Sequence, residues 1–115
     1  MKIDEIISLI DGKLIEGNIT ENEEVTRAFA SDLMSDVLTI KDASSLLLIT
    51  GLANTQTIRT CEMSDIHYIL FVRGKKVTEE MKELAEDNDM VLIETGYSMY
   101  KVAGILYANN IQPLY

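Results

Sequence analysis

Leu46-Leu47-Leu48-Ile49-Thr50, Tyr68-Ile69-Leu70-Phe71-Val72 and Met90-Val91-Leu92-Ile93-Glu94 are three apolar runs of strand length, each followed by an amphipathic stretch. A strand that is apolar on every residue is buried on both faces, whereas a half-exposed strand alternates. The pattern therefore predicts strands over 46–50, 68–72 and 90–94, with helices over 55–65, 78–87 and 98–109. Met81, Leu84 and Ala85 would form the buried stripe of one helix, and Met99, Val102, Ala103 and Leu106 that of another. Strand and helix in strict alternation predict an α/β fold with a mostly parallel sheet, right-handed crossovers and helices covering its faces.

Upstream, Ile3, Ile6, Ile7 and Ile10 share one helical face, with Asp4 and Glu5 in the first turn, where the helix dipole favours anions, and Gly12 at the stop. A short strand is expected over 13–16, a polar turn over 17–24 and a second strand over 25–30. Ser31-Asp32 then reads as an N-cap pair for a helix carrying Leu33, Met34, Val37 and Leu38 on one side. The domain is expected to end near Pro113. With 115 residues, the chain is expected to be a single domain with one core.

No run approaches the roughly 20 apolar residues needed to cross a bilayer. Met1-Lys2-Ile3-Asp4-Glu5 puts acids where a secretory signal needs a basic region, and a lone cysteine with six methionines suits a reducing compartment, so the cytoplasm is the expected location. A formal charge of −9 repels phosphate backbones and argues against a nucleic-acid partner.

Ligands of open parallel sheets gather at the carboxyl ends of the strands, where loops lead into helices. Four segments meet that description: 31–35, 50–55, 73–76 and 95–98. Thr50, Gly51, Asn54 and Thr55 combine a glycine that lets a ligand near the backbone with side chains able to cap a helix or hold a phosphate, although a plain strand-to-helix turn uses the same residues. Arg73 and Gly74, followed by Lys75 and Lys76, carry the one compact basic cluster, which also reads as a solvated turn offsetting the acidic helix that follows, and Arg59 could face an anion near Gly51, although helices carry surface arginines routinely. Ser31, Asp32 and Thr95 complete the candidate ligand set. Cys61 and His67 invite a nucleophile and base reading, but Cys61 falls on the apolar side of its helix with Ile58 while His67 opens the next strand, so each is assigned a structural role. One histidine and one cysteine cannot close a zinc site, and no phosphate-binding or dinucleotide glycine motif occurs. No metal, no cofactor and no catalytic residue is expected. Asp32 and Asp36, and the acids Glu79, Glu80, Glu83, Glu86 and Asp87, read as solvated helix faces.

Arg27-Ala28-Phe29-Ala30-Ser31-Asp32-Leu33-Met34-Ser35-Asp36-Val37-Leu38, then Leu47-Leu48-Ile49-Thr50-Gly51, Ile69-Leu70-Phe71-Val72-Arg73-Gly74 and Glu94-Thr95-Gly96-Tyr97-Ser98-Met99-Tyr100, resemble a DRTGG domain along nearly the whole chain. The resemblance implies a three-layer α/β/α sandwich similar to the N-terminal domain of HPr kinase/phosphorylase. It also implies a regulatory or assembly module, often dimeric, found alone or beside phosphate acetyltransferases and CBS-containing pyrophosphatases. Ser31-Asp32 and Thr50-Gly51 would be its characteristic positions. The Asp-Arg and Thr-Gly-Gly elements of the family name are replaced around Gly51-Leu52-Ala53 and Val72-Arg73-Gly74.

Two functions are therefore expected to compete. One is a non-catalytic regulatory or scaffolding module that forms a homodimer or contacts a protein partner, with Met34 and Leu52 on the contact surface. The other is a sensor that takes a nucleotide or another anion at the strand ends.

Overall fold

A computed structural model of the chain describes residues 1–20 and 22–115. The turn expected over 17–24 includes residue 21, which lies outside them. The elements run α1 (Ile3–Leu9), β1 (Gly12–Glu16), β2 (Arg27–Ala30), α2 (Met34–Val37), β3 (Leu46–Thr50), α3 (Thr55–Met63), β4 (Tyr68–Phe71), α4 (Glu79–Asp87), β5 (Val91–Thr95), α5 (Met99–Ala108) and β6 (Gln112–Pro113). Six strands make one sheet in the order β1-β5-β4-β3-β2-β6. Every pairing is parallel except β1 with β5, so the expected mostly parallel sheet is present.

Pleating sends alternate residues of each central strand to opposite faces. Leu47, Ile49, Leu70, Val72, Val91 and Ile93 pack with Ile3, Ile6 and Ile10 of the α1 segment and Val102 and Leu106 of α5. Leu46, Leu48, Ile69, Phe71 and Leu92 pack with Val37, Ile58, Cys61, Met81 and Ala85 of α2, α3 and α4. Helices thus cover both sides of the sheet, giving the three-layer α/β/α sandwich. The α3, α4 and α5 helices start at side-chain caps: Asn54, Thr78 and Ser98 accept from the N–H groups of Thr57, Met81 and Lys101.

Several expectations are corrected. The second strand begins at Arg27, because Val25 is buried in a different pairing: its N–H donates to the Met1 carbonyl at 2.8 Å and its carbonyl accepts from the Met1 amine at 2.9 Å. Ser31-Asp32 is not an N-cap. Residue Leu33 occupies that position without a side-chain cap, and α2 is only four residues long. The third helix stops at Met63, since Asp65 turns into the left-handed region at φ 60°. Chain beyond α5 adds an unforeseen parallel edge strand. Gln112 and Leu114 donate to the Thr26 and Ala28 carbonyls, which leaves Pro113, without an N–H, on the outward side where no donor is needed.

Candidate functional site

The carboxyl ends of β2, β3, β4 and β5 meet along one rim, and the loops there are tied to each other. Asp32, just past β2, reaches across to the β3 loop. Its Oδ1 accepts from Gly51 N at 2.6 Å and from Thr50 Oγ1 at 3.0 Å, while Thr50 Oγ1 in turn accepts from Leu52 N at 3.1 Å. A carboxylate oxygen therefore already occupies the backbone donor that an anionic ligand would use.

The next loop along is held by its backbone. Arg73 N donates to Tyr97 O at 2.8 Å and Gly74 N to Thr95 O at 3.0 Å, with both residues at positive φ, 60° and 70°. Among the described residues, the other non-glycine positions at positive φ are Asp11, Ser45, Asp65, Asp89 and Asn110, all short polar types whose side chains can bond locally. Arginine has no such local compensation. Its side chain folds over Gly51, where Nη2 stands 3.1 Å from the place a Cβ would occupy and the Asp32 carboxylate oxygens stand 3.5 and 3.6 Å from it. Among the described residues the Arg73 guanidinium has no ion-pair or hydrogen-bond partner. Next along the rim, Lys101 Nζ sits 3.8 Å from the Tyr97 ring centroid, a cation over an aromatic face.

Of the residues expected at this rim, Asp32, Thr50, Gly51 and Arg73 come together. Ser31 serves a local turn, its Oγ accepting from Leu33 N at 3.0 Å. Asn54 is committed to the cap of α3 and Thr55 is that helix's first residue. Arg59 is exposed on α3 and is not among the nearest neighbours of Gly51. Gly74 shapes the turn. Thr95 is buried, its hydroxyl donating to Ile10 O at 2.7 Å and accepting from Tyr97 N at 3.1 Å. Glu94, beside it, accepts from Val77 N at 2.7 Å and lies 3.5 Å from Lys76 Nζ.

Elsewhere, burial pushes the Cys61 thiol up to about 12, far from a thiolate at neutral pH. His67 is exposed, its Nε2 3.3 Å from Asp65 Oδ1. The two residues do not form a pair. Three grooves lie away from the rim. Two are polar and sit at the opposite end of the sheet, lined by acids that include Glu16, Glu23, Asp42, Asp65, Glu86 and Asp89. The third, about 270 Å³, runs between the β2–β6 edge and α5 and is lined by Phe29, Ala30, Leu106, Tyr107, Leu114 and Tyr115 among others; no described lining side chain is charged. Tyr107 and Tyr115 are 69% and 80% exposed. Met34 and Leu52, expected on a contact surface, are half-buried, and Met34 packs on the α3–α4 side of the core.

The fold has a counterpart among solved structures. The chain is similar to the crystal structure of the CBS and DRTGG domains of the regulatory region of Clostridium perfringens pyrophosphatase, complexed with its activator diadenosine tetraphosphate, with a TM-score of 0.69 over 91% of this chain. Sequence identity is 12%, so the likeness is one of fold, a DRTGG-like fold. The match covers 45% of that chain, less than half of its length. No family model and no curated protein matches the sequence. Among the described residues, no helix is long and apolar enough to cross a membrane.

The apolar groove was not foreseen. Its signal was weak but present: Ile111, Pro113, Leu114 and Tyr115 are an apolar cluster after the last amphipathic helix.

Proposed function

We propose that the chain is a single DRTGG-like domain, a non-catalytic regulatory or scaffolding module of the cytoplasm that acts by self-association and protein contact. The observation that carries this is the groove at the β2–β6 edge, whose described lining has no charged side chain. A two-fold interface must be complementary to itself, so one patch needs both projections and a cleft. Here the exposed Tyr107 and Tyr115 rings stand beside a groove wide enough to receive apolar side chains. Charge points to the same face. Two copies of a chain with net charge −9 repel, and a patch without acidic side chains is where they can close with less opposition. The fold match supports a regulatory role, since that neighbour is the regulatory region of an enzyme.

Sedimentation equilibrium tests the reading. The wild type is expected to dimerise at micromolar concentration, and Tyr107→Glu, which puts a carboxylate at the groove's rim, to be monomeric with an unchanged circular dichroism spectrum. A wild type that stays monomeric at about 1 mM, where association would be worth less than about 4 kcal/mol, rejects it.

A second reading, a sensor of a nucleotide or another anionic ligand at the rim, is favoured by the unpaired Arg73 guanidinium over Gly51. The neighbouring structure holds a polyphosphate dinucleotide, which supports that ligand class.

A further inference from the structure

Asp32 stands where the ligand of the sensor reading would have to bind. An oxyanion approaching Arg73 over Gly51 meets a carboxylate that already accepts both available donors, Gly51 N and Thr50 Oγ1. The two anions cannot share the place, because like charges a few ångströms apart repel. We propose that Asp32 is a built-in latch: its carboxylate closes the Gly51 N–H and Thr50 hydroxyl in the empty protein, and a phosphoryl ligand enters by displacing it, with Arg73 as the counter-charge. This rests on the sensor reading above.

Three features of the chain suit the role. The Arg73 guanidinium and the Asp32 carboxylate both border Gly51 without a direct ion pair, so among the described residues a ligand has no contact of the cation to break. Gly51 has no side chain to fill the space between them; a Cβ there would press on Arg73 Nη2 at 3.1 Å. The segment carrying Asp32 is short: α2 has four residues and no side-chain cap, is held to the core through Val37, and has exposed Leu33 and Leu38 on either side. Short, uncapped helical turns rearrange at small free-energy cost. Displacing Asp32 would therefore move a surface that carries two exposed leucines, which turns ligand binding into a change that a partner can read.

Isothermal titration with inorganic pyrophosphate, on the wild type, Asp32→Ala, Asp32→Asn and the double variant Asp32→Ala with Arg73→Ala, tests the latch. Removing the competitor is expected to tighten binding about tenfold in Asp32→Ala, equivalent to about 1.4 kcal/mol. The double variant should lose that gain. Asp32→Asn keeps an acceptor for both donors and loses the charge, so its affinity should fall between wild type and Asp32→Ala; it keeps the test open if Asp32→Ala does not fold. Hydrogen exchange should show residues 31–38 opening on pyrophosphate binding in the wild type. Binding by the wild type that is equal or tighter than in both Asp32 variants overturns the latch and leaves the sensor site standing. If neither the wild type nor any Asp32 variant binds, the sensor reading itself fails.

Discussion

Thr95→Val separates a structural hydroxyl from a ligand-binding one. Thr95 ends β5 with 3% of its surface exposed, and its Oγ1 donates to the Ile10 carbonyl at 2.7 Å and accepts from Tyr97 N at 3.1 Å. Through this one oxygen the end of α1, far away in sequence, and the loop that receives Arg73 are tied to the central sheet. Valine has the same shape and an equal or better fit to a strand, so the substitution removes the two bonds and little else. Leaving the buried Ile10 carbonyl without a partner costs about 1–3 kcal/mol, and the half-buried Tyr97 N–H adds about 1 kcal/mol. The loss should be about 2–4 kcal/mol, a large share of the 5–15 kcal/mol typical of a whole domain. With a urea slope of about 1.5 kcal/mol/M for a chain of this size, the midpoint should fall by about 1.3–2.7 M. A midpoint within about 0.3 M of wild type would refute the reasoning, because it would mean that water or a shift of the loop replaces both bonds; Thr95 would then be available to a ligand after all.

Gly17→Ala should be far more damaging than Gly51→Ala. At Gly17, φ is 104° and a Cβ would lie 2.6 Å from the Met90 carbonyl oxygen and 2.9 Å from Val91 Cα, backbone that cannot yield, so a loss of about 3 kcal/mol or more is expected; at Gly51 the close neighbour is the end of a flexible arginine, and thermal melts should differ from wild type by only about 0.5–1 kcal/mol. In alkali the fold should weaken. Burial raises the Cys61 thiol from 9.0 to about 12, and burial with the Glu23 charge raises the Tyr68 hydroxyl from 10.0 to about 12, so the unfolded chain releases these protons first. Their stabilisation is complete below about pH 9 and is lost as pH rises toward 12, with a slope from Cys61 of about 1.4 kcal/mol per pH unit. Urea midpoints across that window should fall more gently in Cys61→Ala, and an equal slope in the two proteins would remove the thiol from the account.

The layered sheet was legible because its central strands carry three or four successive apolar residues, a pattern that fits burial on both faces. Leu46, Leu48 and Ile69 on one face and Leu47, Ile49 and Leu70 on the other behave as the runs require. Strand order was not legible, since any parallel arrangement satisfies the same runs. The edges were the hardest to read. β6 has two residues, one of them Pro113, and gains its bonds from Thr26 and Ala28, which no local pattern announces. The rim was legible as a place: Thr50, Gly51 and Arg73 were expected there and do meet. What Asp32 does was not legible. Ser-Asp before an apolar helical face normally signals a cap, and only the proximity of β2 to β3 in the parallel sheet lets the carboxylate prefer the Gly51 N–H nineteen residues away.

The polarity of the parallel sheet also connects the two surfaces that matter. All loops following the parallel strands open at one end, and the cations Arg73, Lys75, Lys76 and Lys101 stand in or next to those loops, whereas Glu16, Glu23, Asp42, Asp65, Glu86 and Asp89 line the grooves at the other. Lys41 also lines one of the base grooves, and the Asp32 and Glu94 carboxylates stand at the rim, so each end carries both signs. In the proposed dimer, two copies would avoid both charged ends by meeting along the side, at the β2–β6 edge. Strand β2 belongs to both places. Phe29 and Ala30 line the apolar groove, and two residues later Asp32 holds Gly51. In the proposed latch, a ligand that displaces Asp32 would loosen the end of the strand on which the groove is built, a mechanical link between binding at the rim and association at the edge.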